Sequence, residues 1–134
     1  MSYAAALQTA IFARLDAELS VQVVAYHEQV ADAARDDKFP VVLIGDDSFT
    51  QNNSDDRRGF SATVTVHTFT RERGYAEVKL IQGQIYDALD RFALSVLGYG
   101  VTMIDQEYSE ATREADNLTV HGVQRFRVLL REAV

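Results

Sequence analysis

The sequence predicts an α+β fold, a mainly antiparallel sheet with two helices packed on one face, in the order α-β-β-β-α-β-β. Three patterns point to it. Leu7, Ile11, Leu15 and Leu19 recur every fourth residue, which is helical spacing. Phe60, Ala62, Val64 and Val66 alternate with Ser61, Thr63, Thr65 and His67, which is the period of a half-buried strand. Tyr75, Val78, Ile81, Ile85, Leu89 and Phe92 then return to helical spacing. A sheet with one apolar face needs a cover, and helices gathered on that face are the economical one.

The first helix has Ala4 and Phe12 widening its apolar stripe, and Ser2 as the N-cap residue. Val21 to Tyr26 is a short apolar segment, read as a strand or an extended crossing. The polar cluster Ala33 to Lys38 follows, and Phe39-Pro40 forces an extended entry into Val41 to Gly45. That apolar run predicts a strand covered on both faces. Asp46 to Arg58, DDSFTQNNSDDRR, reads as a long polar loop. Joining the Val41 strand to the Phe60 strand, it becomes the protruding arm of a hairpin. Arg71 to Gly74 turns the chain into the second helix, which the spacing carries to about Leu97, where Gly98 and Gly100 break it. Val101 to Tyr108 is a strand whose apolar parity changes midway, the mark of a bulge. Arg113 to Asn117 supplies a turn. In the last strand Leu118, Val120, Phe126, Val128 and Leu130 share one face, with Gly122 and Gln124 interrupting, and Arg125 and Arg127 lie on the other.

The composition sets the class. At 134 residues the chain has room for one core, so a single domain spanning 1–134 is expected. Hydrophobic residues make up 47% and charged residues 25%, which favours an ordered globular protein over a disordered one. A formal charge of −7 argues against a surface built to neutralise nucleic-acid phosphates. In a ring of identical chains, the same charge would give a non-sticking channel for a polyanion. The absence of cysteine excludes disulfides, zinc-thiolate sites and thiol catalysis. The N-terminal stretch lacks a basic region and carries Arg14, Asp16 and Glu18, so it does not read as a signal peptide, and no apolar run approaches the ~20 residues of a spanning helix. The expected compartment is the cytoplasm, or a particle assembled there.

No catalytic motif stands out. The acidic pairs Asp36-Asp37, Asp46-Asp47 and Asp55-Asp56 could hold Ca²⁺ or Mg²⁺ through their oxygens, but the 46–56 stretch lacks EF-hand spacing and its closing Glu. A solvated loop is the favoured reading there, and no metal or cofactor is expected. His27, His67 and His121 form no HxH or HExxH arrangement. His67 and His121 share the polar parity of strands that could be neighbours, so a two-histidine contact is conceivable, with surface histidines favoured. Gly45-Asp46-Asp47-Ser48 is not a nucleophile elbow. Gly98-Tyr99-Gly100 lacks the lysine and the helix of a phosphate loop. The chain is therefore expected not to be an enzyme. The alternatives are a small ligand-binding or enzymatic α+β domain with an unrecognised carboxylate site, and a regulatory module that dimerises through its sheet.

The N-terminal helix LQTAIFARLDAE, the strand FPVVLIGDD, the segment ATVTVHTFTRERGYAEVKLIQGQIYDAL and the closing LTVHGVQRFRVLL together resemble the tail-terminator and tail-completion proteins of long-tailed bacteriophages and phage-like gene transfer agents. The resemblance covers essentially the whole chain and implies a non-enzymatic virion structural protein. Such proteins form a six-membered ring on the head-proximal end of the tail tube, stop tube growth and join tail to head. It thus implies as partners other copies of the chain in a homo-hexamer, the tail tube protein and a head-tail connector or stopper protein, with DNA only as cargo and no membrane. The location implied is the tail of a virion or phage-like particle. No residue-level motif transfers from the family. From charge and expected exposure, the candidate interface residues are Asp46, Asp47, Asp55, Asp56, Arg57, Arg58, Arg125 and Arg127.

Overall fold

The computed structural model describes residues 2–24 and 39–133. Ser2 caps the first helix, α1 (Tyr3–Glu18), its hydroxyl accepting from the Ala5 N–H at 3.2 Å. The four-residue spacing puts Leu7, Ile11 and Leu15 on one buried stripe, each contributing about 2 kcal/mol through burial. After α1, β1 (Gln22–Val24) runs parallel to β2 (Val41–Gln51), so the Val21 segment does contain a strand. The expectations for Tyr26, His27, the Ala33 to Lys38 cluster and the Asp36-Asp37 pair lie outside the described residues.

β2 and β3 (Gly59–Thr70) form the expected hairpin, but its strands are longer than the sequence suggests. The polar stretch after Gly45 is not a loop throughout. Asp46, with φ of 39°, is the extra residue of a bulge, and pairing resumes from Asp47 opposite Val64 to Gln51 opposite Phe60. The bulge flips the parity of β2 and turns Phe49 towards the core, where it meets Tyr3 edge-on at 5.0 Å. The true connection is only 52–58. Val41 to Ile44 are all buried, Val42 and Ile44 in the main core and Val41 and Leu43 in a smaller cluster with Phe39 and Phe69 on the other face.

The second helix, α2 (Ala76–Leu89), buries Val78, Ile81, Ile85, Ala88 and Leu89. It stops well before Leu97, because contacts with a neighbouring strand outcompete another turn of helix. Asp90 leaves the helix and its carboxylate accepts from the Gln106 N–H at 2.8 Å, while the Arg91 N–H donates to the Ile104 carbonyl at 2.7 Å. The following residues form β4 (Ser95–Val96), which turns through Leu97 and Gly98 into β5 (Tyr99–Arg113). Gly98, at φ of 83°, is thus a hairpin residue rather than a helix breaker.

β5 carries the expected bulge between Val101 and Met103 and a second between Gln106 and Tyr108. A turn leads into β6 (Val120–Glu132), with Leu118 exposed in that turn and not part of the apolar face. Among the described residues the sheet has six strands in the order β1-β2-β3-β6-β5-β4, antiparallel apart from the β1-β2 pair. The even-numbered residues of β3 and β6 face α1 and α2, giving one core that includes Phe60, Val64, Val66, Phe126 and Val128. Arg14 ties the helices together, its guanidinium 3.5 Å from the centroid of the Phe92 ring and donating from Nε to the Ala88 carbonyl at 2.9 Å.

Candidate functional site: an assembly surface

The 52–58 connection is a short, heavily bonded arm. The Asn52 N–H donates to the Gly59 carbonyl at 2.8 Å, the Ser54 N–H to the Arg57 carbonyl at 2.9 Å, and the Gly59 N–H to Asn53 Oδ1 at 3.1 Å. It is also fastened to the end of β6: Arg131 Nη1 donates to the Asn52 carbonyl at 3.1 Å and the Glu132 N–H to the Arg58 carbonyl at 2.8 Å. With its own backbone groups paired in this way, the arm presents Asp55, Asp56, Arg57 and Arg58 to solvent. Arg57 and Asp56 approach only to 4.0 Å, leaving both charges available to an external partner.

Arg125 and Arg127 project from β6 on the sheet face away from the helices, as their parity predicts. Both have neighbours within the chain. The Arg125 guanidinium lies 5.1 Å from the centroid of the Tyr108 ring, and Arg127 Nε is 3.4 Å from Glu107 Oε2. Exposed pairs of this kind contribute about 0–1 kcal/mol, so exchange for an intermolecular partner costs little.

The eight candidates do not form one patch. The arm ends where β3 begins at Gly59, and Arg127 stands opposite Thr63, about 13 Å further along β3. Asp46 and Asp47 adjoin the Thr65 row, with Arg125 on the far side of that row, about 10 Å away across two strand spacings. Asp46 is paired with His67 at 3.7 Å, and His67 in turn meets His121 at 2.8 Å, so the two-histidine contact is present.

Sequence reasoning missed the exposed apolar side chains. Leu80 is 65% exposed on α2, Leu97 73% at the β4-β5 turn and Leu118 62% at the β5-β6 turn. Leu80 was findable, because it falls off the 78, 81, 85, 89 stripe.

For the enzymatic reading, a deep cleft gathering displaced carboxylates would be the sign. Among the described residues the clefts beside Phe39 and Phe69, Arg91 and Phe92, and Gln82 and Tyr86 are open, and the displaced groups Asp116, Glu77 and Tyr86 do not share one of them. Asp116 is held down at about 2 by the Thr119 N–H, then the Leu118 N–H and the Thr119 hydroxyl, so it is an ionised anchor for its turn. Burial and then Glu72 push Glu77 up, and a hydrogen bond to Asp90 pushes Tyr86 up. Among the described residues no three His, Asp or Glu side chains are grouped to hold a metal ion.

No curated protein matches the chain. Among solved structures, a chain from the virion of a native gene transfer agent particle superimposes with a TM-score of 0.83 at 17% identity, covering 97% of this chain and 98% of that one. At that identity the likeness speaks for the fold. The family described as tail completion protein gp17 matches residues 9–131, from the second turn of α1 to the end of β6. By the extent of that match, the chain belongs to the tail completion protein gp17 family of phage tail structural proteins.

Proposed function

We propose that the protein is a tail terminator: a ring of six identical chains that caps the head-proximal end of the tail tube, halts its polymerisation and provides the seat for the head connector or stopper protein. The observation that carries this reading is the family match over residues 9–131. The surface supports it. A ring of identical chains needs heterologous contacts, in which one patch meets a different patch on the neighbour. The arm at one end of the β2-β3 hairpin and the arginine row on the open sheet face are two such separate patches.

The mechanism makes and breaks no bond, so the protein acts without catalysis. The ring binds the open tube end more tightly than another tube subunit does, and its far surface offers tube subunits no matching contact. DNA passes through as cargo. With a formal charge of −7 on each chain, the assembled ring repels a polyanion rather than holding it.

Purified protein added to polymerising tube subunits tests the reading. Electron microscopy should find tubes capped at one end and arrested, with a six-membered ring at the cap. Tubes that grow to the same length with and without the protein would contradict it.

A further inference from the structure

The open cleft beside Gln82 and Tyr86 is a groove of about 490 Å³ between α2 and β5. Lys79, Gly83, Tyr86 and Asp87 line its helix side, a stripe that adjoins the buried one at Val78, Ile81 and Ile85. Ser109 and Glu110 line its sheet side. Since β4 pairs only with Tyr99 and Gly100, this stretch of β5 is a free sheet edge among the described residues. Gln82 spans the two walls, its Nε2 donating to the Glu110 carbonyl at 2.9 Å.

Gly83 has no explanation within the fold. It stands in the interior of α2, where glycine is the poorest choice after proline. Gly59 and Gly122 are each required by a close neighbour, whereas a Cβ at Gly83 would meet nothing within 4 Å. Its bare backbone is exposed on the groove wall. The missing side chain therefore leaves room for something outside the chain.

The groove favours a cationic visitor. Asp87 and Glu110 are exposed in it against Lys79, and Tyr86, 44% exposed, offers a ring face to a guanidinium. The bulge between Gln106 and Tyr108 and the acidic Glu107 and Glu110 discourage an ordinary strand from adding to this edge. The 52–58 arm matches it, because its backbone is already bonded and it holds Arg57 and Arg58 exposed. Its own groove is out of reach. Gln124, which lines the groove, stands opposite Val66, about 23 Å along β3 from Gly59, and the arm is tied to Arg131 and Glu132. The arm of a second copy has no such constraint.

We propose that this groove receives the 52–58 arm of a neighbouring copy, with Arg57 and Arg58 meeting Asp87, Glu110 and the Tyr86 ring, and with Gly83 making room for the arm's backbone. The contact rests on the ring reading above and supplies its heterologous pair, arm to groove, repeated from copy to copy.

Disulfide trapping tests the contact, and the chain's lack of cysteine keeps the readout clean. Asp55→Cys and Ser109→Cys put one thiol on the arm and one on the groove wall, and leave the arginines, Gly83, Asp87 and Glu110 in place. Under mild oxidation of concentrated purified protein, a mixture of the two single variants should give about tenfold or more crosslinked dimer than either variant alone, because a heterologous contact joins unlike patches. The double variant should give a ladder of covalent multimers ending at the six-membered ring. A ladder ending elsewhere would uphold the contact and overturn the six-membered ring. No crosslink in the mixture would overturn the contact, and rings seen by mass photometry in that sample would keep the ring reading and give the groove to a different partner. Gly83→Ala supplies a second readout. It should raise the melting temperature by about 2–4 °C, yet lower the crosslink yield about tenfold by crowding the arm. An unchanged yield would overturn the role given to Gly83.

Discussion

Gly122 lies directly beneath Gln82: a Cβ at Gly122 would fall 2.6 Å from Gln82 Nε2 and 2.8 Å from Val78 Cγ2. The close approach lets α2 settle onto β6 and share a row of amides. Gln82 Nε2 donates to the Glu110 carbonyl at 2.9 Å, while Gln124 Nε2 donates to the Gln82 carbonyl at 3.0 Å and to Gln106 Oε1 at 2.8 Å. The two residues that interrupt the apolar pattern of the last strand therefore set the height and register of the helix above it.

Gly122→Ala should then destabilise the fold by about 1–3 kcal/mol through overpacking, although alanine suits a strand better than glycine does. Urea unfolding followed by circular dichroism would detect this as a lower midpoint with an unchanged slope. An unchanged midpoint would mean that α2 can lift at no cost.

Phe126 is fully buried opposite Val64, in the core between the sheet and the two helices. Phe126→Ala should cost about 3–5 kcal/mol, a large share of the stability of a domain this size. The same unfolding measurement checks it, with Phe126→Leu expected to lose much less.

Asp116 gives the β5-β6 turn a specific acid sensitivity. Its folded-state pKa, about 2, is below that of an ordinary carboxylate, so its stabilisation is complete above about pH 4 and is lost as pH falls through about 2. Asp116→Ala should lower the melting temperature at neutral pH and flatten the fall in melting temperature across that acid window. Parallel wild-type and mutant curves through the window would contradict the assignment.

Gly59 holds the arm closed. A Cβ there would lie 2.4 Å from the Asn52 carbonyl oxygen, a backbone atom that cannot swing aside. Gly59→Ala should reshape the 52–58 connection and reduce formation of the proposed ring more than it reduces melting temperature. Mass photometry beside a thermal melt separates the two effects.

If Arg125 and Arg127 lie in the proposed ring contact, Arg125→Glu with Arg127→Glu should weaken assembly about tenfold or more while moving the melting temperature little, because their partners within the chain are exposed. A ring population identical to wild type at matched concentration would remove these arginines from the interface.

The parts of the fold legible in the sequence are those in which one periodicity runs without interruption. The α1 stripe at Leu7, Ile11 and Leu15 and the β3 alternation from Phe60 to Val66 are examples, and both are buried as read. The errors arise where tertiary contacts override local pattern. The bulge at Asp46 reverses the parity of β2, so Asp47 to Gln51 look like loop while pairing with β3. The end of α2 is decided by bonds from Asp90 and Arg91 to β5, a strand that lies later in the chain. The candidate interface residues were legible as exposed charges. Their separation into distinct patches follows from the β3-β6 register, which pairs Gly59 with Arg131, and no local pattern encodes a pairing that remote.

The measurement that bears most directly on the account is electron microscopy of particles from the source strain with this gene deleted, with the complemented strain beside it. Tail termination predicts overlong or unjoined tails next to tailless heads, restored to joined tails of uniform length on complementation. Particles of normal tail length, joined to their heads in the absence of the gene, would contradict it.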